Sequence, residues 1–226
     1  MIQEDNDGKS NQSFKKKFRR TGPLDAYIYQ KGSDEENVEE SQLNVFIHLP
    51  EPPKETNTQT QFKTHIFTDG ACTNNGKRNA SAAWGLIVVA DTGYAILHRD
   101  SGAIPREQQQ TNQRAELQGL LKGLRAAKDF SAKYPGLMTI WSDSQYAINC
   151  ASVWGPKWKS NGWKKQGGPI QHLDLVRSLV EETIEMRNMI QYRWLKAHTQ
   201  DNRQNEFPWV FNHQVDALAT SALRHQ

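Results

Sequence analysis

Three strand-like stretches come before any helical pattern, and that order restricts the fold more than any other feature of the 226-residue chain. Residues 65–69, 83–90 and 94–99 read as strands, with Asp91-Thr92-Gly93 as the turn between the last two. Only then does a helical period begin: residues 113–130 place Leu117, Leu120, Leu121 and Leu124 on one face. A strand (137–142), a helix opening at 144–150, a long helix (173–186), a strand (189–196) and a closing helix (214–224) complete the pattern. Strands joined by turns pair antiparallel, whereas strands separated by helices return parallel. The expected fold is α/β, one mixed sheet flanked by helices.

That fold belongs to residues 62–226, and residues 1–61 read as a low-order N-terminal tail. The tail holds a basic run (15–20), an acidic run (33–40), a short apolar patch (Val45-Phe46-Ile47) and a Pro- and Thr-rich linker. It carries 8 Lys+Arg against 11 Asp+Glu, which leaves 20 against 14 for residues 62–226. The folded part is thus the basic part, which favours an acidic partner such as nucleic acid. No apolar run approaches the ~18 residues of a membrane span, so no membrane partner is expected. MIQEDNDGKS lacks the apolar core of a secretory signal. The two cysteines, Cys72 and Cys150, fit a reducing compartment and argue against a disulfide framework or a cysteine-rich zinc site. An intracellular location, nuclear or cytoplasmic, is expected. The basic run is read equally as a nuclear-import or nucleic-acid patch and as a solvated charge cluster.

The acids that stand out have ordinary readings when taken singly. Asp69 suits a turn, Asp143 an N-cap before a helix, and Glu116 and Asp216 the early turns of helices, where the dipole favours anions. Taken together they point elsewhere. If the first and fourth strands are parallel neighbours, Asp69 and Asp143 project from adjacent strand ends. Glu116 borders the buried helix face and can point at the same strands, and Asp216 can reach them from the last helix. Four converging carboxylates repel unless cations neutralise them. Oxygen ligands without thiolates or a His pair select Mg²⁺, with Mn²⁺ as a substitute. Two such ions ~4 Å apart can activate a water and stabilise the leaving oxygen of a phosphodiester.

The residues around these acids resemble a known family. Phe67-Thr68-Asp69-Gly70-Ala71-Cys72 with Asn75-Gly76 forms one motif, and Gln110-Thr111-Asn112-Gln113-Arg114-Ala115-Glu116-Leu117 a second. Ser142-Asp143-Ser144-Gln145-Tyr146 is the third, and Asn212-His213-Gln214-Val215-Asp216-Ala217-Leu218-Ala219 the last. In this order they resemble cellular type 1 ribonuclease H, over roughly residues 62–223. The resemblance implies a five-stranded mixed sheet of order 3-2-1-4-5 with a basic protrusion. It implies an endonuclease that hydrolyses the RNA strand of RNA/DNA hybrids and leaves 5′-phosphate and 3′-hydroxyl ends, as in removal of RNA primers and R-loops. Asp69 would bridge two Mg²⁺ ions. Asp216 would complete the site of the ion that activates water, and Glu116 and Asp143 would hold the ion beside the leaving oxygen. His198 matches the family's mobile histidine.

By the same resemblance, Cys72, Asn74, Asn75 and Gln113 would approach the RNA backbone and sense its 2′-hydroxyls, and Asn112 would also bind nucleic acid. Thr111 and Asn161 would grip a phosphate of the DNA strand. Gln109 stands where an arginine is common in that pocket, with Arg106 as a substitute. Residues 154–165 carry Trp154, Trp158 and Trp163 among Lys157, Lys159, Lys164 and Lys165, with no acid. The bland reading is a helix end whose tryptophans pack on their own domain. The stretch also resembles the family's basic protrusion, which holds the DNA strand. The segment between His198 and Asp216 is longer than in many members and carries Phe207, Trp209 and Phe211. It is expected to fold as a lid or to dock on another element, with His213 as the weaker candidate for the histidine's role. A monomer is expected. The reading from another class is a non-catalytic hybrid-binding protein on the same fold, which would not need so much buried repulsion.

Overall fold

The computed structural model describes residues 63–196 and 205–225. The expectations for the tail and for His198 therefore lie outside the described residues. Five strands form one sheet of order β3-β2-β1-β4-β5, the order the resemblance implies. They are β1 (Thr64–Thr73), β2 (Ser81–Ala90), β3 (Ile96–Ala103), β4 (Met138–Ser142) and β5 (Ile190–Trp194). The first three pair antiparallel, while β4 pairs parallel to both β1 and β5. The helices are α1 (Asn112–Ser131), α2 (Gln145–Ser152), α3 (Trp154–Ser160), α4 (Leu173–Met186) and α5 (Trp209–Ala222). Among the described residues no helix is long and apolar enough to cross a membrane.

The central strand is buried almost throughout because it is covered on both faces. Its alternation divides the interior in two. Ile66 and Thr68 turn towards α1, where Gly123 leaves room for their methyl groups and for that of Ile140. That face continues into the main core with Leu117, Leu120, Leu124, Leu179 and Val180. Phe67 turns the other way and forms a smaller core with Ile87, Val89, Phe211 and Val215 beneath α5.

Several expected boundaries shift, and each shift has a local cause. β1 does not stop at Asp69. It runs on to Thr73 because β2 keeps pairing with it, from Gly70↔Trp84 to Thr73↔Ser81. β3 starts two residues later than the apolar pattern suggests, because Thr92–Tyr94 form a 3₁₀ turn with Gly93 and Tyr94 at positive φ. The closing helix begins at Trp209 rather than at residue 214, and the Trp-rich stretch holds the unexpected short helix α3.

Candidate active site

The parallel ladder between β1 and β4 ends at the pair Thr68↔Ser142. Asp69 and Asp143 are each the next residue along, so two carboxylates remote in sequence come just past the last pair of one ladder, at one level. The turn reading of Asp69 fails, since it lies inside a strand and is only 5% exposed. The cap reading of Asp143 fails as well: Ser144 caps α2, accepting from the Ala147 N–H at 3.2 Å. Asp143 therefore lends its side chain to the site rather than to the cap.

Glu116 reaches these two because α1 presses on β1 at a point with no side chain between them. A Cβ on Gly70 would lie 2.3 Å from the Glu116 nitrogen, and one on Gly119 would lie 2.7 Å from the Asp69 carbonyl oxygen. Two glycines thus set the distance between the strand and the helix. Glu116 is in the second turn of α1, not the first as expected, so the helix dipole does not account for it. Oxygens of Asp69, Glu116 and Asp143 lie within 4.8 Å of one another. Asp216 sits two turns into α5, half-buried, and acts on Asp69 through its charge and a side-chain hydrogen bond.

The electrostatics follow from this crowding. Burial, then the charges of Asp143 and Asp216, push the Asp69 carboxyl up to about 8, partly offset by the Gly70 N–H that donates to its Oδ1 at 2.7 Å. Burial and then Asp69 and Asp143 hold Glu116 well above the usual carboxylate range. Asn112 donates to Glu116 Oε1 at 3.4 Å, but the buried Oε2 has no hydrogen-bond partner. A buried carboxylate oxygen without a donor is costly unless a cation meets it. The donor set, all carboxylate oxygens, fits a hard divalent cation. Asp69, Glu116 and Asp143 would hold it, with Asp216 beside them.

Around this centre the other expected residues fall into distinct places. Cys72, Asn75 and Asn112 share one rim, where Asn75 Oδ1 accepts from the Asn112 N–H at 3.2 Å and faces Cys72 Sγ at 3.8 Å. Asn74 (φ 51°) turns the chain at this rim, and Gln113 is exposed on the first turn of α1. Thr111 caps α1 through the Arg114 N–H at 3.1 Å. The side chain beside its hydroxyl is His172, with Nε2 at 3.4 Å, whereas Asn161 is an exposed residue ending α3. Arg106 donates to Ser81 Oγ (3.0 Å) and the Ala80 carbonyl (3.4 Å).

In the protrusion the two readings divide by residue type. Trp154, Trp158 and Trp163 are half-buried and pack on the main core, while Lys157, Lys159, Lys164 and Lys165 are exposed. Arg177 lies 5.2 Å over the Trp163 ring and Lys165 5.9 Å over that of Trp158. His213 is exposed on α5.

Three polar residues of this region, two of them within the second motif, have roles that the sequence did not reveal. Burial, then Arg114, lowers the pKa of His172 and favours its neutral ring. Arg114 is buried and forks onto both Asp174 oxygens, tying α1 to α4 and holding Asp174 below its usual range. Gln110 accepts from the Ala82 N–H at 2.9 Å and donates to the Pro105 carbonyl at 2.8 Å, fixing the approach to α1. A single Gln or His between loop residues looks like any other until its partners are known. A cavity of about 490 Å³ is lined by Lys63, Asp91, Trp141 and Arg193 among others, and none of Asp69, Glu116, Asp143 and Asp216 borders it. The acids instead meet where the β1–β4 ladder ends, beside α1 and α5.

Comparison with known proteins agrees with this architecture. The family described as RNase H matches residues 61–224. The ribonuclease H of Bordetella pertussis is 30% identical over 162 residues, covering 71% of this chain and 89% of that protein. The ribonuclease H of Cupriavidus pinatubonensis is 32% identical over 159 residues, covering 70% and 93%. The solution structure of the PFV RNase H domain is 24% identical and superposes with a TM-score of 0.60, covering 73% of this chain and 96% of that one.

Proposed function

The chain belongs to the ribonuclease H family of hydrolases, and from that premise we propose that it is an endonuclease cutting the RNA strand of RNA/DNA hybrids with two divalent cations, Mg²⁺ foremost. The observation that carries this reading is the meeting of Asp69, Glu116 and Asp143 within 4.8 Å, with Asp216 against Asp69. When bound, such cations lower the pKa of an attacking water and stabilise the oxygen leaving phosphorus, which yields 5′-phosphate and 3′-hydroxyl ends. Asp69 and Asp143 present their oxygens from adjacent strands, Glu116 from α1 and Asp216 from α5. The raised pKa values of Asp69 and Glu116 mean that cation binding must displace protons, so cation affinity rises with pH up to about 8.

Recognition is assigned to the surface around this centre. Asn74, Asn75, Asn112 and Gln113 offer amide donors and acceptors that suit a 2′-hydroxyl, and Cys72 leaves room for a close backbone approach. Thr111, with His172 beside it, suits a phosphate of the DNA strand. The protrusion's exposed lysines suit that strand further on, with the tryptophans as their footing. His198 is assigned proton transfer or product release.

The test compares labelled hybrid, duplex RNA, duplex DNA and single strands, each with Mg²⁺ and with EDTA. Cleavage confined to the RNA of the hybrid and dependent on Mg²⁺ is expected. Binding of hybrid without cleavage would instead establish the non-catalytic reading. A milder change is expected for the protrusion. Substituting Lys157 and Lys159 by glutamine should weaken binding alike across hybrid sequences. The slope of log affinity against log salt should become shallower by about 1 for each phosphate that is no longer neutralised. An unchanged slope would remove those lysines from the interface.

A further inference from the structure

We infer that Phe207, supplied by the long segment before α5, is a positioning residue for the carboxylate centre. This rests on the metal-binding reading above. Phe67 and Trp141 are register partners on β1 and β4, and their rings stack 5.9 Å apart at 7°. Each stands two residues before an acid, Asp69 on one strand and Asp143 beyond the other. In a strand, residues two apart share a face, so Phe67 and Asp69 point to the same side of β1. The aromatic pair therefore packs the sheet two residues before each of the two acids.

Phe207 packs against both rings of that pair. It meets Phe67 edge-on at 6.0 Å and 86°, and Trp141 edge-on at 5.9 Å and 88°. Its ring also stacks on Tyr94 at 4.7 Å and packs on His65 at 4.8 Å. His65 is itself held, since Trp141 Nε1–H donates to its Nδ1 at 3.2 Å and Asp91 faces its Nε2 at 2.9 Å. From Phe207 the chain enters α5, where Phe211 lies 5.3 Å from Phe67 and Asp216 follows little more than a turn later. One side chain thus touches the supports of Asp69 and Asp143 and anchors the start of the helix that carries Asp216. Edge-to-face contacts fix ring orientation as well as distance, and a ligand set tolerates displacements of only about half an ångström.

The prediction is a loss of cation affinity out of proportion to any loss of stability. Phe207→Ala and the milder Phe207→Leu, which keeps the apolar volume, are compared with Leu179→Ala. Leu179 is fully buried in α4, in the core on the other side of the sheet. Mg²⁺ is titrated calorimetrically and Mn²⁺ by paramagnetic resonance, beside kcat, KM for a hybrid, and Tm. Phe207→Leu should weaken cation binding about tenfold, the range seen when supports of metal ligands are removed. It should lower kcat while leaving KM unchanged, and Phe207→Tyr should restore both. Leu179→Ala should lower Tm at least as far without moving cation affinity. If Phe207→Ala does not fold, Phe207→Leu decides. Cation affinity of Phe207→Leu equal to that of the unsubstituted protein would reduce Phe207 to ordinary packing. If the unsubstituted protein neither binds divalent cations nor cuts the hybrid, the functional reading itself falls, and the positioning role with it.

Discussion

Asp143→Asn is expected to abolish cleavage of the hybrid while leaving its binding intact. The amide has the carboxylate's shape but not its charge, so the centre loses one anion of the three that meet within 4.8 Å. The local helix and sheet do not depend on that charge. Ser144, not Asp143, caps α2, and the contact at this position that involves β5 runs from Trp194 Nε1–H to the Asp143 carbonyl oxygen at 2.9 Å, which the substitution keeps. The surfaces assigned to the nucleic acid, Asn75, Asn112 and the protrusion lysines, are untouched. Since removing one preorganised electrostatic partner already costs 10²–10³ in rate, a loss of about a thousandfold or more in kcat is expected for a cation ligand. Single-turnover cleavage and fluorescence anisotropy, run on the same labelled hybrid, separate the two effects. A variant that cuts at the unsubstituted rate would remove Asp143 from the chemistry.

Asp69→Asn should make the cation-free protein more stable at pH 8, and the gain should vanish near pH 4. The sign follows from proton linkage. The Asp69 carboxyl is pushed from its ordinary value up to about 8 in the fold, chiefly by burial and then by Asp143 and Asp216. Below about pH 4 it is protonated in both folded and unfolded chains and affects nothing. As pH rises from there to about 8 the unfolded chain releases the proton and the folded chain retains it, so stability falls. Glu116, raised by the same causes, acts with the same sign. The amide introduced by the substitution cannot ionise, and its oxygen can still accept from the Gly70 N–H, as Asp69 Oδ1 does. The expected gain at pH 8 is on the order of 2 kcal/mol, or roughly 4–8 °C in Tm for a chain of this size. Melting both proteins from pH 4 to 9 in EDTA tests this, because the difference between them cancels the titrating groups remote from the carboxylate cluster. Added Mg²⁺ should reverse the order, since only the unsubstituted centre gains fully from the cation. A difference that stays flat with pH would mean that the carboxylates are not crowded.

How far the chain could be read varies with the range of the interactions involved. The helix over Leu173–Met186 was legible to the residue because its apolar face repeats at the helical period. The end of β1 was not, because pairing with β2 carries it past Asp69, and that pairing is not written in β1. The start of α5 was likewise hidden: the turn before it gains its order from Phe207 and Phe211 packing on the sheet. The described part of the longer segment, residues 205–211, packs Phe207 on the sheet face. The tryptophans of the protrusion showed the same limit. Composition marks them as large and amphipathic, but which face they pack against depends on a core assembled from other elements.

The sequence by itself determined the order of the strands and of every helix but α3, the family and the four acids proposed for the centre, since period, turn chemistry and ordered motifs are properties of neighbouring residues. Only the tertiary structure decided that Asp69 and Asp143 leave one ladder at one level, that two glycines admit Glu116 beside them, and that one Glu116 oxygen is buried without a donor. It alone placed His172 against Thr111 and Phe207 against Phe67 and Trp141. The physical reason is that burial and Coulomb energy depend on distances between groups far apart along the chain. Those distances exist only once the sheet and its helices have packed.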